Sequence, residues 1–554
     1  MVLSKPDVKL DEALPGPALA WFELETERAT TDDARLAAEI MHKQGALEKQ
    51  LIDARSDGDA ASAIEPFTPP PRKERAPSIA IVGAGIGGLC MGARLRMAGF
   101  EDIVIIDKAS DVGGVWHYNK YPGIACDINT YLYQYSFFKN AAWTRSKPDG
   151  PEIQSYLSDF ADHFDLRRNL GLNTEVTRCV HGPDGWDIHL AAGPALRADI
   201  LISSIGFQHI PVLPAIEGME QFQGPLVHSS TWHDGLDVDG MKVGVVGTGA
   251  SGAQIIPSVV DRVASLTVFQ RTPQWVLPDR IDSFPDSRIE MLKRYPQLLD
   301  SLYDFYLTMM ADHLGTALVG NVELRGEIAR KCKDYLASVK DESLRRKLTP
   351  DYPAMCKRIV MSENFYSAMQ KPAVDLVTEG IARVEAQGIR TSDGVLHELD
   401  AIICATGFNA HHYCRDLNIT VEGGRTLEDF WPEGAQTLDS VAIAGIPNFF
   451  LVSGPYSPNG NLAATVATEL QVGFIIRLLQ EMGERGAKSV AARPEAQRFF
   501  VDRMQRDAGA TVWQSGCKSW YLDDRGKLDI WTRSPRDFIN AMESGPDQGG
   551  YIFS

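Results

Sequence analysis

Two stretches of the chain share one arrangement of apolar and polar residues. The apolar run from Ile79 to Val82 meets Gly83, Gly85 and Gly88 and then passes into helical spacing. The run from Val243 to Val246 meets Gly247, Gly249 and Gly252 and continues through Ile255, Ile256 and Val259. A short apolar run, a glycine-rich turn and a helical period, in that order, predict strand, tight turn and helix. Each unit leads into a second apolar run, residues 103–106 and 266–269. The expected fold class is therefore α/β, with two Rossmann-like dinucleotide-binding domains, a helical insertion and an N-terminal extension.

Other elements follow from the same periodicities. Leu36, Ile40, Leu47 and Leu51 recur at helical spacing within the extension, residues 1–76, and a proline run at 65–75 reads as an extended linker. Docking of this extension on the body of the protein and pairing of two copies through it, as a homodimer, both stay open. The first part of the first dinucleotide-binding domain is expected over 77–210, with a helix at 154–164, a strand at 175–179, a hairpin near Gly185 and a strand at 200–205. The second dinucleotide-binding domain is expected over 211–375, interrupted by a helical section of mixed charge at about 282–348. Residues 376–554 complete the first domain, with a strand ahead of Thr406 and Gly407 and a helix at 463–482. Tyr131, Tyr133 and Tyr135 alternate as one face of a strand would.

The ends of the second strands separate the two units. Asp107 follows Gly83 by 24 positions, and Arg271 follows Gly247 by the same 24. Glycines let the backbone approach a pyrophosphate seated on the helix N-terminus. An acid at the next strand end accepts hydrogen bonds from ribose hydroxyls, as FAD requires, whereas an arginine forks onto a 2′-phosphate, as NADP requires. Thr248 and Ser251 in the second turn and Thr272 after Arg271 are counted with the NADP site, and Val176 with the FAD site.

The chain of 554 residues is 44% apolar, enough for two or three domains with cores of their own. Its net charge of −18 excludes nucleic acid and an anionic membrane surface as main partners, since each asks for a basic face. The N-terminus carries acids early and no apolar run reaches about 18 residues, so neither a signal peptide nor a membrane span is expected and the reading is cytoplasmic. The 8 cysteines form no CxxC pair. That removes a zinc finger and a reductase dithiol, and all eight are expected to be reduced and mostly buried; no metal site is expected.

Phe222, Gly224, His228 and Trp232 form the string F-x-G-x-x-x-H-x-x-x-W directly ahead of the second turn. It resembles the fingerprint of Baeyer–Villiger monooxygenases, although His233 stands between Trp232 and Asp234. Trp232 counts against flavin-containing and N-hydroxylating monooxygenases, which carry Phe or Tyr there. A longer string, with Gly113, Gly114, Val115, Trp116, Tyr121, Pro122, Gly123 and Asp127, resembles the second fingerprint of the same family.

The resemblance implies several roles. Arg358 would be the catalytic cation and Lys357 a second contact to the 2′-phosphate. Gly114, Val115, Trp116 and Tyr133 would line the FAD site, and Asp127, counted there too, would orient Arg358. Trp520 would lie over bound NADP and substrate, and Thr406-Gly407 would return the chain to the FAD domain. His228 and Trp232 would relay domain motion without touching substrate. The implied reaction takes a small-molecule ketone, dioxygen and NADPH: hydride reduces FAD, a flavin peroxide attacks the carbonyl, and an ester or lactone forms. Two other activities stay open: a sister enzyme oxygenating nitrogen or sulfur, and an oxidase releasing only hydrogen peroxide.

Overall fold

The structure, a computed structural model, describes residues 14–31, 33–53, 77–547 and 549–554. The expected linker at 65–75 lies outside the described residues.

Ile79–Val82 pairs in parallel with Ile103–Ile106 on one side and with Ile200–Ser203 on the other. Leu170–Gly171 and Phe449–Leu451 extend the two edges, giving a parallel sheet of five strands. Ile79 and Ile81 join one apolar cluster, while Ala80 and Val82 join another across the sheet. A parallel sheet covered on both faces buries every position of a central strand, so such a strand reads as an unbroken apolar run.

The second unit repeats this design. Its sheet runs Val374–Val377, Ser265–Phe269, Lys242–Val246, Ala401–Cys404 and Leu226–His228, all parallel. The boundary expected at 375 is therefore corrected: Ala401–Cys404 pairs with Lys242–Val246, and the second sheet keeps the chain to Cys404. A buried apolar strand has the same composition in either sheet, so its pattern cannot say which one it enters. The helices Asp286–Arg294, Gln297–Thr308, Val322–Leu336 and Glu342–Lys347 fill the section expected at 282–348.

The N-terminal helices Gly16–Thr30 and Ala34–Asp53 pack on each other and on Asp286–Arg294 and Gln297–Thr308. A buried polar cluster joins them. Arg288, 1% exposed, lies 3.4 Å from Glu25 and 3.3 Å from Glu48, while Arg28 pairs with Glu25 at 2.6 Å and with Asp282 at 3.1 Å. Gln44 donates to Glu25, and the Trp21 indole donates to Glu48. Burial alone would raise the Glu25 carboxyl, but Arg28 and Arg288 outweigh it and bring the group down to about 2. A carboxylate with a depressed value contributes fully above its ordinary range near ~4.3 and loses that contribution as pH falls toward about 2. Arg288→Ala leaves Glu25 and Glu48 short of a partner, and removing one member of such a pair costs about 3–5 kcal/mol. Urea unfolding is expected to show that loss near neutral pH; a change below ~0.5 kcal/mol would mean that apolar packing alone holds the extension.

Tyr131 lies on a turn, Tyr133 on a bend and Tyr135 in an isolated bridge with Phe138, so none of them lies on a strand. Tyr131 stacks on Phe284 at 5.6 Å, Tyr133 accepts from the Trp116 indole, and Tyr135 donates to the Ile86 carbonyl. Their alternation arises because the turns send three large rings to three different neighbours.

Among the described residues no helix is long and apolar enough to cross a membrane.

Candidate active site

The first glycine of each turn has a positive φ, +109° at Gly83 and +107° at Gly247. A Cβ on Gly88 would collide with the Gly83 carbonyl oxygen, and one on Gly252 with that of Gly247, so each helix crosses its strand end in near contact. A Cβ on Gly249 would meet nothing within 4 Å. Ile86–Met97 and Ala250–Val259 begin at Gly85 and Gly249 without a side-chain cap, leaving their first N–H groups for an anion. These turns fit the pyrophosphates of two dinucleotides.

Asp107 sits half-buried beyond Ile103–Ile106. One carboxylate oxygen accepts from the Ala84 N–H at 2.6 Å and the other from the Ala109 N–H at 2.8 Å. This orients the group beside the turn, and each oxygen retains a lone pair for a ribose hydroxyl. Arg271 is exposed at the equivalent strand end and pairs with no carboxylate among the described residues. The Lys357 ammonium lies 4.7 Å from the Tyr352 ring centroid. Its pKa is lowered, first by burial and then by the Arg271 charge, with Asp351 offsetting part. Two cations held close enough to repel each other suit a 2′-phosphate.

Other nucleotide candidates divide by where their side chains go. Thr248 is buried with its hydroxyl 3.4 Å from Gln270, and Val176 is buried in a core with Trp186, so only their backbones can meet a cofactor. The Thr272 carbonyl accepts from Gln274. Ser251 donates to the Tyr121 hydroxyl at 3.3 Å; Tyr121 donates to Gln254, whose amide reaches the Ala125 carbonyl. A Cβ on Gly123 would crowd the Gln254 carbonyl at 2.6 Å, and one on Gly114 would lie 2.9 Å from the Gly85 Cα. The stretch 113–127, with Val115 opening the short helix Val115–Tyr118, thus packs on both nucleotide turns. Close backbone contact on two sides explains its glycines.

That stretch ends at Asp127, which meets Arg358 from 231 residues away in a bidentate pair with contacts of 2.6, 2.8 and 3.1 Å. Arg358 lies deep in the molecule, yet 39% of its side-chain surface stays accessible, so part of the guanidinium is open to a ligand. Burial raises the Asp127 carboxyl, but Arg358 and then Lys147 outweigh it and hold the group below its ordinary value; Asp127 in turn raises Arg358. Lys147 donates to the Asp127 carbonyl at 3.0 Å and pairs with Asp279 at 3.1 Å. The Trp116 indole donates to the Tyr133 hydroxyl at 3.1 Å, and the Tyr133 phenol faces Cys126, Asp127 and Arg358.

The Phe222 to Trp232 string is structural in its contacts. Gly224 allows the backbone to touch the Asp400 carbonyl, Phe222 packs in the core beside Leu399, and Trp232 is 6% exposed in the core of the second unit. His228 accepts from the Ser230 N–H at Nδ1 and lies 3.0 Å from the Gly407 carbonyl at Nε2, which requires the neutral tautomer protonated on Nε2. Burial lowers its pKa accordingly. The fingerprint is thereby tied to the turn that follows Ala401–Cys404.

One expectation fails here. Cys356 and Cys517 form a disulfide with a Cα–Cα distance of 6.4 Å, so not all eight cysteines are free thiols. Spacing rules find local pairs, and these two stand 161 residues apart. The bond joins the residue before Lys357 to the segment carrying Trp520. Trp520 stacks on Phe207, and the next residue, Tyr521, presents its buried phenol to Arg358. Tyr521 and Lys147 are site residues that the sequence reading missed; adjacency to Trp520 is the one signal that could have found Tyr521.

Residues 80–290 match the family model described as pyridine nucleotide-disulphide oxidoreductase. The chain is 36% identical over 466 residues to a Baeyer-Villiger monooxygenase of Streptomyces coelicolor, covering 83% of this chain and 89% of that protein. It is similar to the crystal structure of OTEMO in complex with FAD and NADP, with a TM-score of 0.79 and 26% identity over 87% of this chain and 100% of that one. An ε-caprolactone-bound cyclohexanone monooxygenase gives a TM-score of 0.78 and 27% identity over 86% of this chain and 99% of that one. Two dinucleotide turns, bridged by the stretch that ends in a carboxylate–guanidinium pair, on this fold, define a flavin- and nicotinamide-dependent monooxygenase. The chain belongs to the Baeyer–Villiger monooxygenase family.

Asp127→Ala is expected to slow turnover while FAD stays bound, because Arg358 loses its orienting partner. A charge-assisted hydrogen bond is worth ~1.5–3 kcal/mol, or roughly tenfold to a hundredfold in rate. A variant purified without flavin would instead assign Asp127 a structural role.

Proposed function

We infer that this protein converts ketones to esters or lactones with NADPH and dioxygen, releasing water and NADP. The observation that carries this reading is the Asp127–Arg358 pair, with part of its guanidinium open, at the end of the stretch that packs on both nucleotide units. When bound, FAD takes hydride from NADPH and activates dioxygen for insertion beside a carbonyl. Gly83, Gly85, Gly88 and Asp107 would hold FAD, with the backbones of Gly114 and Val176 and the rings of Trp116 and Tyr133 around it. Gly247, Gly249, Gly252, Arg271 and Lys357 would hold NADPH. A fixed cation stabilises negative charge developing on oxygen, and a guanidinium keeps its charge throughout. Arg358 does this, and Asp127 sets its plane and offsets the cost of burying it.

The test uses the holoenzyme with NADPH and a panel of cyclic, aryl and long-chain ketones beside an organic sulfide, with product and hydrogen peroxide measured together. Ester formation matching NADPH consumption is expected. Sulfoxide without ester would identify the nitrogen- or sulfur-oxygenating activity, and peroxide alone an oxidase.

The same reading places the enzyme in the cytoplasm, which cell fractionation tests. The buried ion pairs between the N-terminal helices and Asp286–Arg294 favour docking of the extension on its own body over pairing of two copies. A solution mass of one chain would bear that out.

A further inference from the structure

Residues 519–523 carry both Trp520 and Tyr521, yet their own hydrogen bonds hold them weakly to the body of the protein. Tyr521 N–H donates to the Ser519 hydroxyl and Leu522 N–H to the Ser519 carbonyl within the segment, and Asp523 N–H donates to the Lys527 carbonyl four residues on. Besides the Tyr521 contact with Arg358, a second polar contact reaches in from outside. His411 lies 2.8 Å from the Trp520 carbonyl through Nε2 and 2.7 Å from the Asp529 carboxylate through Nδ1.

Both partners of this ring are acceptors. A neutral imidazole donates from one nitrogen only, so satisfying both contacts requires the doubly protonated ring. Asp529 is well placed to hold that charge: its side chain is 7% exposed, and its backbone carbonyl accepts from the Tyr456 N–H and the Tyr413 hydroxyl. We propose that His411, as an imidazolium anchored by Asp529, is a positioning residue that fixes the Trp520 carbonyl and so seats Tyr521 against Arg358. The inference rests on the reading of Arg358 given under Proposed function.

The charged groups around the ring agree with this. Asp529 and, more distantly, Asp523 face it, while Arg415 approaches only the His411 backbone carbonyl. Burial would lower the His411 pKa, but Asp529, the Trp520 carbonyl and Asp523 outweigh it and raise the group above its ordinary value. A raised value means that the clamp is complete below the ordinary histidine range and is lost as pH rises through the raised value. Above it the ring keeps one proton and must give up one of its two bonds.

The test compares the parent holoenzyme with His411→Asn and Asp529→Asn over about pH 6–10, a window that brackets a raised histidine. Ester formed per NADPH consumed is read at each pH. Trypsin cleavage after the exposed Lys518 is read in parallel, because it follows release of the segment whether or not a ketone is turned over. The parent is expected to lose coupling and gain cleavage in one step at alkaline pH. Asp529→Asn should move that step down by about one unit or more, since it removes the main charge partner. His411→Asn should be poorly coupled and readily cleaved throughout, with no step. Coupling and cleavage profiles in His411→Asn that match the parent would overturn the proposal, as would an unmoved step in Asp529→Asn. If the parent forms no ester, the functional reading fails, and the cleavage profile alone still decides the clamp.

Discussion

Arg358→Ala is expected to abolish ester formation while the bound flavin still bleaches when NADPH is added without oxygen. Losing one preorganised donor to a developing oxyanion costs ~3–4 kcal/mol, and here the donor carries a full charge, so a rate loss of roughly two-hundredfold is a minimum. The change also leaves Asp127 without the partner that holds its carboxyl low. On the proposed reading hydride delivery would depend on nucleotide positioning by Gly247, Gly249, Gly252 and Arg271, and it should be slowed much less. Stopped-flow absorbance follows the first half-reaction and chromatography the second. Ester formation near the parent rate would reduce Arg358 to a charge at the mouth of the short strand Val360–Met361.

A strong preference for NADPH over NADH is the second large effect, and Arg271→Ala should remove most of it. Arg271 is exposed and pairs with no carboxylate among the described residues, while Lys357 lies near enough to feel its charge. A charge-assisted contact of ~1.5–3 kcal/mol corresponds to roughly tenfold to a hundredfold in the Michaelis constant for NADPH, with kcat little changed. The constant for NADH should hardly move, and Lys357→Ala should act in the same direction. Equal kcat/KM of the parent enzyme for the two nucleotides would sink the assignment of both residues.

The two nucleotide units were legible because each depends on conformation within about 30 residues. The runs from Ile79 to Val82 and from Val243 to Val246 are apolar because both faces of a parallel strand are buried, and the glycines follow because the helix must start against the strand end. Asp107 and Arg271 were readable for the same reason, since the strand that follows the turn sets where each stands. The roles of Asp127 and Arg358 came instead from a likeness of motifs; nothing in their own neighbourhoods announces a partner 231 residues away.

Elsewhere local pattern was silent or misleading. The alternating tyrosines at 131, 133 and 135 imitate a strand, because turns can also send every second side chain inward. Ala401–Cys404 has the composition of any buried parallel strand, and only its pairing with Lys242–Val246 places it in the second sheet. The amino-acid order thus determined most strands, turns and helices, and with them which residue stands at each strand end, because backbone periodicity repeats over a few residues. Only the tertiary structure joined Asp127 to Arg358, Cys356 to Cys517, Tyr521 to Arg358, and His411 to Trp520 and Asp529. Those contacts arise where separately folded surfaces meet, and their geometry depends on packing along the whole chain.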